Sequence, residues 1–113
     1  MKYVLLAYET AEAFEAFRTD ATYQAAWPAF TQTLIDAGVM VGGAGLEGPE
    51  TATTVRCHDN GHTVQDGPFA ETREMLGGFY IIEVASLDEA LTWAARVPVR
   101  PGSSVEVRPQ LAM

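Results

Sequence analysis

Two stretches of this chain, Lys2 to Tyr8 and Phe79 to Val84, are apolar at nearly every position, with Lys2 and Glu83 as the exceptions. A strand with one wet face alternates apolar and polar residues, so an unbroken apolar run must be covered on both faces. The remainder of the chain offers two helical stripes as cover. One runs Tyr23, Trp27, Phe30, Leu34, Ala37, behind Asp20 as a candidate N-cap and ahead of Gly38 as a C-cap signal. A shorter helical piece, Thr10 to Arg18 with Phe14 and Phe17, precedes it, and Pro28 removes one hydrogen bond inside it. The other stripe, Leu87, Ala90, Leu91 and Ala94, follows the capping box Ser86-Leu87-Asp88-Glu89 and stops at Pro98.

Between the helices, Val39 to Leu46 reads as a strand loosened by Gly42, Gly43 and Gly45, and Thr51 to Cys57 as a β-branched strand. Asp59-Asn60-Gly61-His62 is a hairpin signal. With Asn60-Gly61 as the turn residues, Asp59 opposes His62; Cys57, Asp59, His62 and Val64 share one face, and Arg56, His58 and Thr63 the other. Val55 and Val64 mark the first of these as the packed face. The two histidines diverge, so no metal site is expected from the Cys57-to-His62 run. Val105 to Arg108 alternates and ends at Pro109. The order β-α-β, hairpin, β-α-β predicts one α+β domain over residues 1–113, a ferredoxin-like sandwich with both helices on one sheet face. The other face needs a cover, and a second copy of the chain is the simplest: a homodimer packed through the sheet face.

Charge and cysteine content exclude several classes of partner. Seven basic against fifteen acidic residues give a net charge of -8, with Lys and Arg scattered singly, so neither nucleic acid nor an anionic membrane is an expected partner. No run approaches the ~18 apolar residues of a membrane span. The N-terminal apolar run is too short for a signal peptide, and the lone Cys57 fits a reducing cytoplasm.

The segment Asp66-Gly67-Pro68-Phe69 carries the strongest chemical suggestion. Gly permits φ > 0 and Pro locks φ, so Asp66 is mounted on a fixed backbone, which suits an ordinary surface turn as well as a side chain aimed at a cleft. A carboxylate arriving there from a packed face is desolvated, as general bases are. Asp66 is therefore the candidate catalytic residue, with Arg56, His58 and Glu74 as candidate neighbours. Tyr8, Trp27, Arg56, His58, Pro68, Phe69 and Glu74 form the candidate ligand-binding set; Tyr8 and Trp27 enter because their polar tips seek partners at a pocket mouth. No Gly-x-Ser-x-Gly elbow is present, and Gly42-Gly43-Ala44-Gly45 precedes no helix signal, so neither a serine nucleophile nor a phosphate cradle is expected, and no cofactor is.

Several blocks in tandem resemble the YCII-related proteins, in the branch named for its Asp-Gly-Pro-Phe motif. They are Asp66-Gly67-Pro68-Phe69-Ala70-Glu71, Gly77-Gly78-Phe79-Tyr80, Ser86-Leu87-Asp88-Glu89-Ala90 and Val105-Glu106-Val107-Arg108-Pro109, with Met1-Lys2-Tyr3 at the start. The resemblance implies a ferredoxin-like fold assembled into a dimeric α/β barrel; the expectation drawn from the mounted Asp66 is a small-molecule cleft with lyase-like or isomerase-like proton transfer, Asp66 as base and Arg56 or His58 as its electrostatic partner. Family members with a His–Asp pair in the cleft, and a dehydrochlorinase acting on a hydroxylated chloro-aromatic, belong to the wider group. The histidine of that pair lies on the first long helix, where this chain has Ala26 and Trp27 and no histidine. Many members of the Asp-Gly-Pro-Phe branch are encoded beside extracytoplasmic-function sigma factors, which implies the competing expectation of a non-catalytic regulatory module with a protein partner.

Overall fold

The computed structural model describes residues 1–112. Strand β1 (Lys2–Thr10) leads directly into α1 (Ala11–Thr19) and α2 (Ala21–Asp36), followed by β2 (Met40–Gly45). A short 3-10 turn (Pro49–Thr51) precedes the hairpin β3 (Thr53–His58) and β4 (Gly61–Asp66). The chain closes with β5 (Glu74–Glu83), α3 (Leu87–Ala94) and β6 (Ser104–Pro109). The main sheet has the order β2-β5-β1-β6 with every pair antiparallel, the strand order of a ferredoxin-like sandwich.

The helix boundaries follow from local chemistry. Thr10 ends β1 and caps α1 by accepting from Ala13 N–H. Asp20 accepts from the N–H groups of Thr22 and Tyr23, satisfying two donors that the first turn of α2 leaves free. Gly38 takes φ 74°, which stops that helix. Ser86 accepts from Glu89 N–H, and Glu89 in turn accepts from Ala85 N–H, one residue upstream of the usual capping-box partner.

One face of β1 supplies Tyr3, Leu5 and Ala7 to a core shared with Phe30 and Leu34 of α2, Ile82 and Val84, and Ala90 and Val97. The opposite face carries Val4, Leu6, Phe79 and Ile81, all half-buried, while the helices pack on the other side. The strands therefore are apolar on both faces, as their sequence requires.

The hairpin departs from expectation. Its turn residues are Asp59 and Asn60, with His58 opposite Gly61 and Cys57 opposite His62. This offset of two residues leaves the faces unchanged, because side chains alternate with period two. The expected packed face is not packed: Val55 is 56% and Val64 63% exposed, and of the twelve strand residues only Thr54 is even partly buried. Main-sheet strand β5 also begins five residues earlier than the apolar run, at Glu74.

Leu34 is fully buried at the centre of the core. Leu34→Ala is expected to cost about 2–5 kcal/mol by urea denaturation, since a cavity remains where the side chain was. A cost under about 1 kcal/mol would mean that α2 does not seal this core.

Candidate functional site

A cleft of about 390 Å³ opens between the α1–α2 pair and the β2–β5 edge of the sheet. That volume lies within the range of small-molecule sites. Phe14 and Phe17 of α1, Trp27, Pro28 and Thr31 of α2, and the glycine-rich backbone of β2 and β5 form most of its wall. Glycine is required there by close approach. A Cβ at Gly43 would collide with the Phe79 carbonyl, and one at Gly78 would come within 2.8 Å of the Ala44 carbonyl.

Glu9 lines this cleft and, among the described residues, is the one charged residue that is buried, at 7% exposure. Its position follows from strand parity: Tyr3, Leu5, Ala7 and Glu9 all point to the same face of β1. Space for the carboxyl comes from a β-bulge opposite Ala7 and Tyr8, where the pairing passes from Gly78 to Leu76 and leaves Gly77 extra. A Cβ on Gly77 would collide with Glu9 Oε2. The other carboxyl oxygen accepts a hydrogen bond of 2.7 Å from the Tyr23 hydroxyl.

Burial raises the Glu9 pKa above its ordinary 4.5, and the Tyr23 hydrogen bond only partly opposes that shift. Burial and the neighbouring Glu9 also push the Tyr23 hydroxyl far above its ordinary value, so it remains a neutral donor. The indole of Trp27 stands edge-on to Tyr23, with 6.2 Å between ring centroids. Its Nε1 is buried and has no hydrogen-bond partner among the described residues. Deeper in the wall, the hydroxyls of Thr31 and Tyr80 are 2.9 Å apart. At the rim Arg18 is held by Glu15 and Glu50, at 3.3 and 3.5 Å. The arrangement can hold a largely apolar molecule beside a buried carboxyl, Glu9, that could exchange a proton with it.

The residues singled out by sequence occupy three places. Trp27 is in the cleft. Tyr8 and Glu74 line a second, shallower recess on the opposite sheet face, with Thr72, Arg73, Ser104 and Glu106. There Glu74 Oε1 is buried without a partner, and burial, then the Glu106 carboxylate, raise the Tyr8 hydroxyl pKa. Arg56, His58, Asp66, Pro68 and Phe69 belong to the hairpin and its exit loop. Arg56 donates to Gln65 and to the Phe69 carbonyl, His58 meets the Thr63 hydroxyl at 3.1 Å, and Gly67 N–H donates to the Ala52 carbonyl. Asp66 is exposed at the end of β4 opposite Thr53 and lines neither recess; no side-chain hydrogen bond to it occurs among the described residues. Glu9 was missed because the first strand was taken to end at Tyr8. Continuing its alternation by two residues would have placed Glu9 on the buried face.

A four-stranded antiparallel sheet under helices, with an acid sunk in a cleft at one sheet edge, defines a ferredoxin-like protein with a small-molecule-sized cavity. The solved 5-chloro-2-hydroxyhydroquinone dehydrochlorinase of Burkholderia phenoliruptrix AC1100, in complex with 2,5-dihydroxybenzoquinone, has a similar fold: TM-score 0.55 and 17% identity, covering 99% of this chain and 96% of that one. The chain belongs to the YCII-related family, whose domain matches residues 1–112. It is also 53% identical over 64 residues to the uncharacterized protein R00369 of Rhizobium meliloti (strain 1021), a match covering 54% of this chain and 52% of that protein, so the similarity spans about half the length of that relative.

A raised acid pKa links Glu9 to stability with a definite sign. The folded state holds the proton more tightly than the unfolded chain, so the protonated form favours folding below about pH 4.5, and this contribution is lost as pH rises through the folded-state value. Glu9→Gln cannot lose that proton. Its melting temperature is expected to exceed that of wild type at neutral pH, with the gap closing below the ordinary glutamate value. A gap of constant size across the titration would show that Glu9 is not desolvated.

Proposed function

We propose that this protein binds a small, largely apolar organic molecule in the α1–α2/β5 cleft and carries out proton transfer on it, with Glu9 as the acid–base group. The observation carrying this reading is a desolvated carboxyl, held by Tyr23, in the wall of a cavity of about 390 Å³. An acid whose pKa is raised by burial can take a proton from a ligand and return it, the basis of lyase-like and isomerase-like steps. Tyr23 holds the carboxyl through its hydroxyl hydrogen bond, and Trp27 contributes to the apolar wall. The fold-level likeness to a dehydrochlorinase that handles a hydroxylated ring supports a ligand of comparable size, although fold alone does not set chemistry.

The assembly that goes with this reading is a homodimer through the second sheet face, giving the α/β barrel expected of the Asp-Gly-Pro-Phe branch. Its support is the set of half-buried apolar residues Val4, Leu6, Phe79 and Ile81 on a face without helices. The regulatory alternative, a sigma-factor partner, draws on the family resemblance, the absence of a histidine from the first long helix and the acidic surface, and no feature of the geometry favours it.

A screen of small hydroxylated aromatic and alicyclic compounds by thermal shift, on wild type, Glu9→Gln and Asp66→Ala, tests the assignment. A ligand at a hundred times its dissociation constant stabilises the folded state by about 2.7 kcal/mol, which is readily seen. Binders are expected to stabilise wild type and Asp66→Ala alike, and Glu9→Gln less or without the wild-type pH dependence. Loss of binding in Asp66→Ala with full binding in Glu9→Gln would move the site to the Asp66 turn.

A further inference from the structure

The connection from α3 to β6 supplies no residue to the cleft wall, yet it reaches the tyrosine that holds Glu9. Its sequence Arg100-Pro101-Gly102-Ser103 has the pattern of a type II turn: Pro presets φ at the second position, and the third needs φ > 0, which Gly102 takes at 93°. Ser103 N–H donates to the Arg100 carbonyl at 3.0 Å and closes the turn. The turn is pinned to the strand that carries the acid, because Thr10 N–H donates to Ser103 Oγ at 3.3 Å. Arg100 thus extends from a fixed backbone that is anchored on the residue following Glu9.

Its guanidinium goes to the start of α2. The Cζ atom stands 5.3 Å from the centroid of the Tyr23 ring, and Nη1 is 3.6 Å from Asp20 Oδ2. The other oxygen of Asp20 caps α2 by accepting from the N–H groups of Thr22 and Tyr23. One carboxylate therefore fixes both the backbone of Tyr23 and the cation over its face. Phe17 and Trp27 meet the same ring edge-on, with centroids 6.4 and 6.2 Å away. The Asp20–Arg100 pair is half-exposed, and such a pair adds little stability by itself. What matters is where it puts the positive charge. A cation on the ring face is attracted to the π electrons and makes the phenol O–H a stronger donor. A stronger donor favours the ionised form of the carboxyl that accepts from it. Burial and Glu9 push the Tyr23 hydroxyl pKa up, and the Arg100 charge pulls the other way.

We propose that Arg100 is a positioning residue for Glu9, acting through Tyr23: it fixes the ring and strengthens the hydrogen bond that keeps the buried carboxyl ionisable. The inference rests on the reading of Glu9 as the acid–base group. The other charged side chains around Glu9 are Arg18 and Glu47 in the cleft wall, and Arg18 is already engaged by Glu15 and Glu50. Loss of Arg100 shifts Glu9 toward its protonated form, which cannot take a proton from a ligand.

Carbon-13 NMR titration of the Glu9 carboxyl, assigned by its absence from Glu9→Gln, tests the link. Wild type is compared with Arg100→Gln, Arg100→Leu and Arg100→Lys, each checked for folding by near-ultraviolet circular dichroism. The first two remove the charge with and without a polar tip, so one folded variant of the pair suffices. The wild-type Glu9 pKa is expected above 4.5. Removing the charge is expected to raise it further, by about half a pH unit. Arg100→Lys is expected to stay near wild type, and a Tyr23→Phe background to abolish most of the effect. If Arg100 merely props the packing, its loss lets water in and the Glu9 pKa falls toward 4.5, the opposite sign. That fall, no change, a rise of equal size in Arg100→Lys, or a rise of equal size in the Tyr23→Phe background would each overturn the role of Arg100 and leave Glu9 as the acid–base group. A wild-type Glu9 that already titrates at 4.5 would overturn both.

Discussion

Strand β1 must be covered on both faces, and most of the structure depends on that requirement. It lies at the centre of the sheet, between β5 and β6, and its alternation sorts residues between two environments. Tyr3, Leu5 and Ala7 go under the helices and build the core; Val4, Leu6 and Tyr8 go to the other side. The same parity that makes the core carries Glu9 into it. No separate device is needed to bury this acid, only a strand two residues longer than its apolar run. What the fold adds is tolerance. The bulge at Gly77 opens space for the carboxyl, and the Tyr23 hydroxyl satisfies one of its oxygens. Without a partner, burying such a group would cost several kcal/mol.

The glycines of β2 and β5 belong to the same arrangement. In the sequence they look like weak points of two strands. In the fold Gly43 and Gly78 allow backbones to approach where a Cβ would strike a carbonyl, and they leave the cleft wall without side chains. A bulge beside a buried acid, facing bare backbone, leaves a cavity with one buried carboxyl in its wall.

Much of the fold was legible because it rests on local signals. Asp20, Gly38 and Ser86 mark helix ends by chemistry that acts within a turn, and two-sided apolar runs identify central strands whatever they pair with. The site was less legible for a physical reason. Glu9 is charged and follows an aromatic residue, so composition suggests the end of a strand, and only the three-dimensional course of α2 brings Tyr23 to it. The hairpin misled in the opposite way. Val55 and Val64 carry a correct periodic signal for a face to be covered, but periodicity does not say by what. Here no cover is found among the described residues, and Asp66, expected to arrive from a packed face, arrives from an open one.

Two carboxylates therefore divide the roles that a sequence reading gave to one. Asp66 sits on the most rigidly specified turn, yet its surroundings are solvent and backbone, and the turn's hydrogen bonds run through Gly67 and Phe69 to Ala52, Thr54 and Arg56. Those bonds brace the base of the hairpin. Glu9 sits in no recognisable motif, yet it has what acid–base chemistry needs: desolvation, a fixed donor and an adjoining cavity. A motif in the chain can mark where the backbone is constrained, whereas reactivity depends on where water is excluded. In this protein the constrained turn and the buried acid are different places, joined through β5, which leaves the braced loop at Glu74 and three residues later provides the glycine that makes room for Glu9.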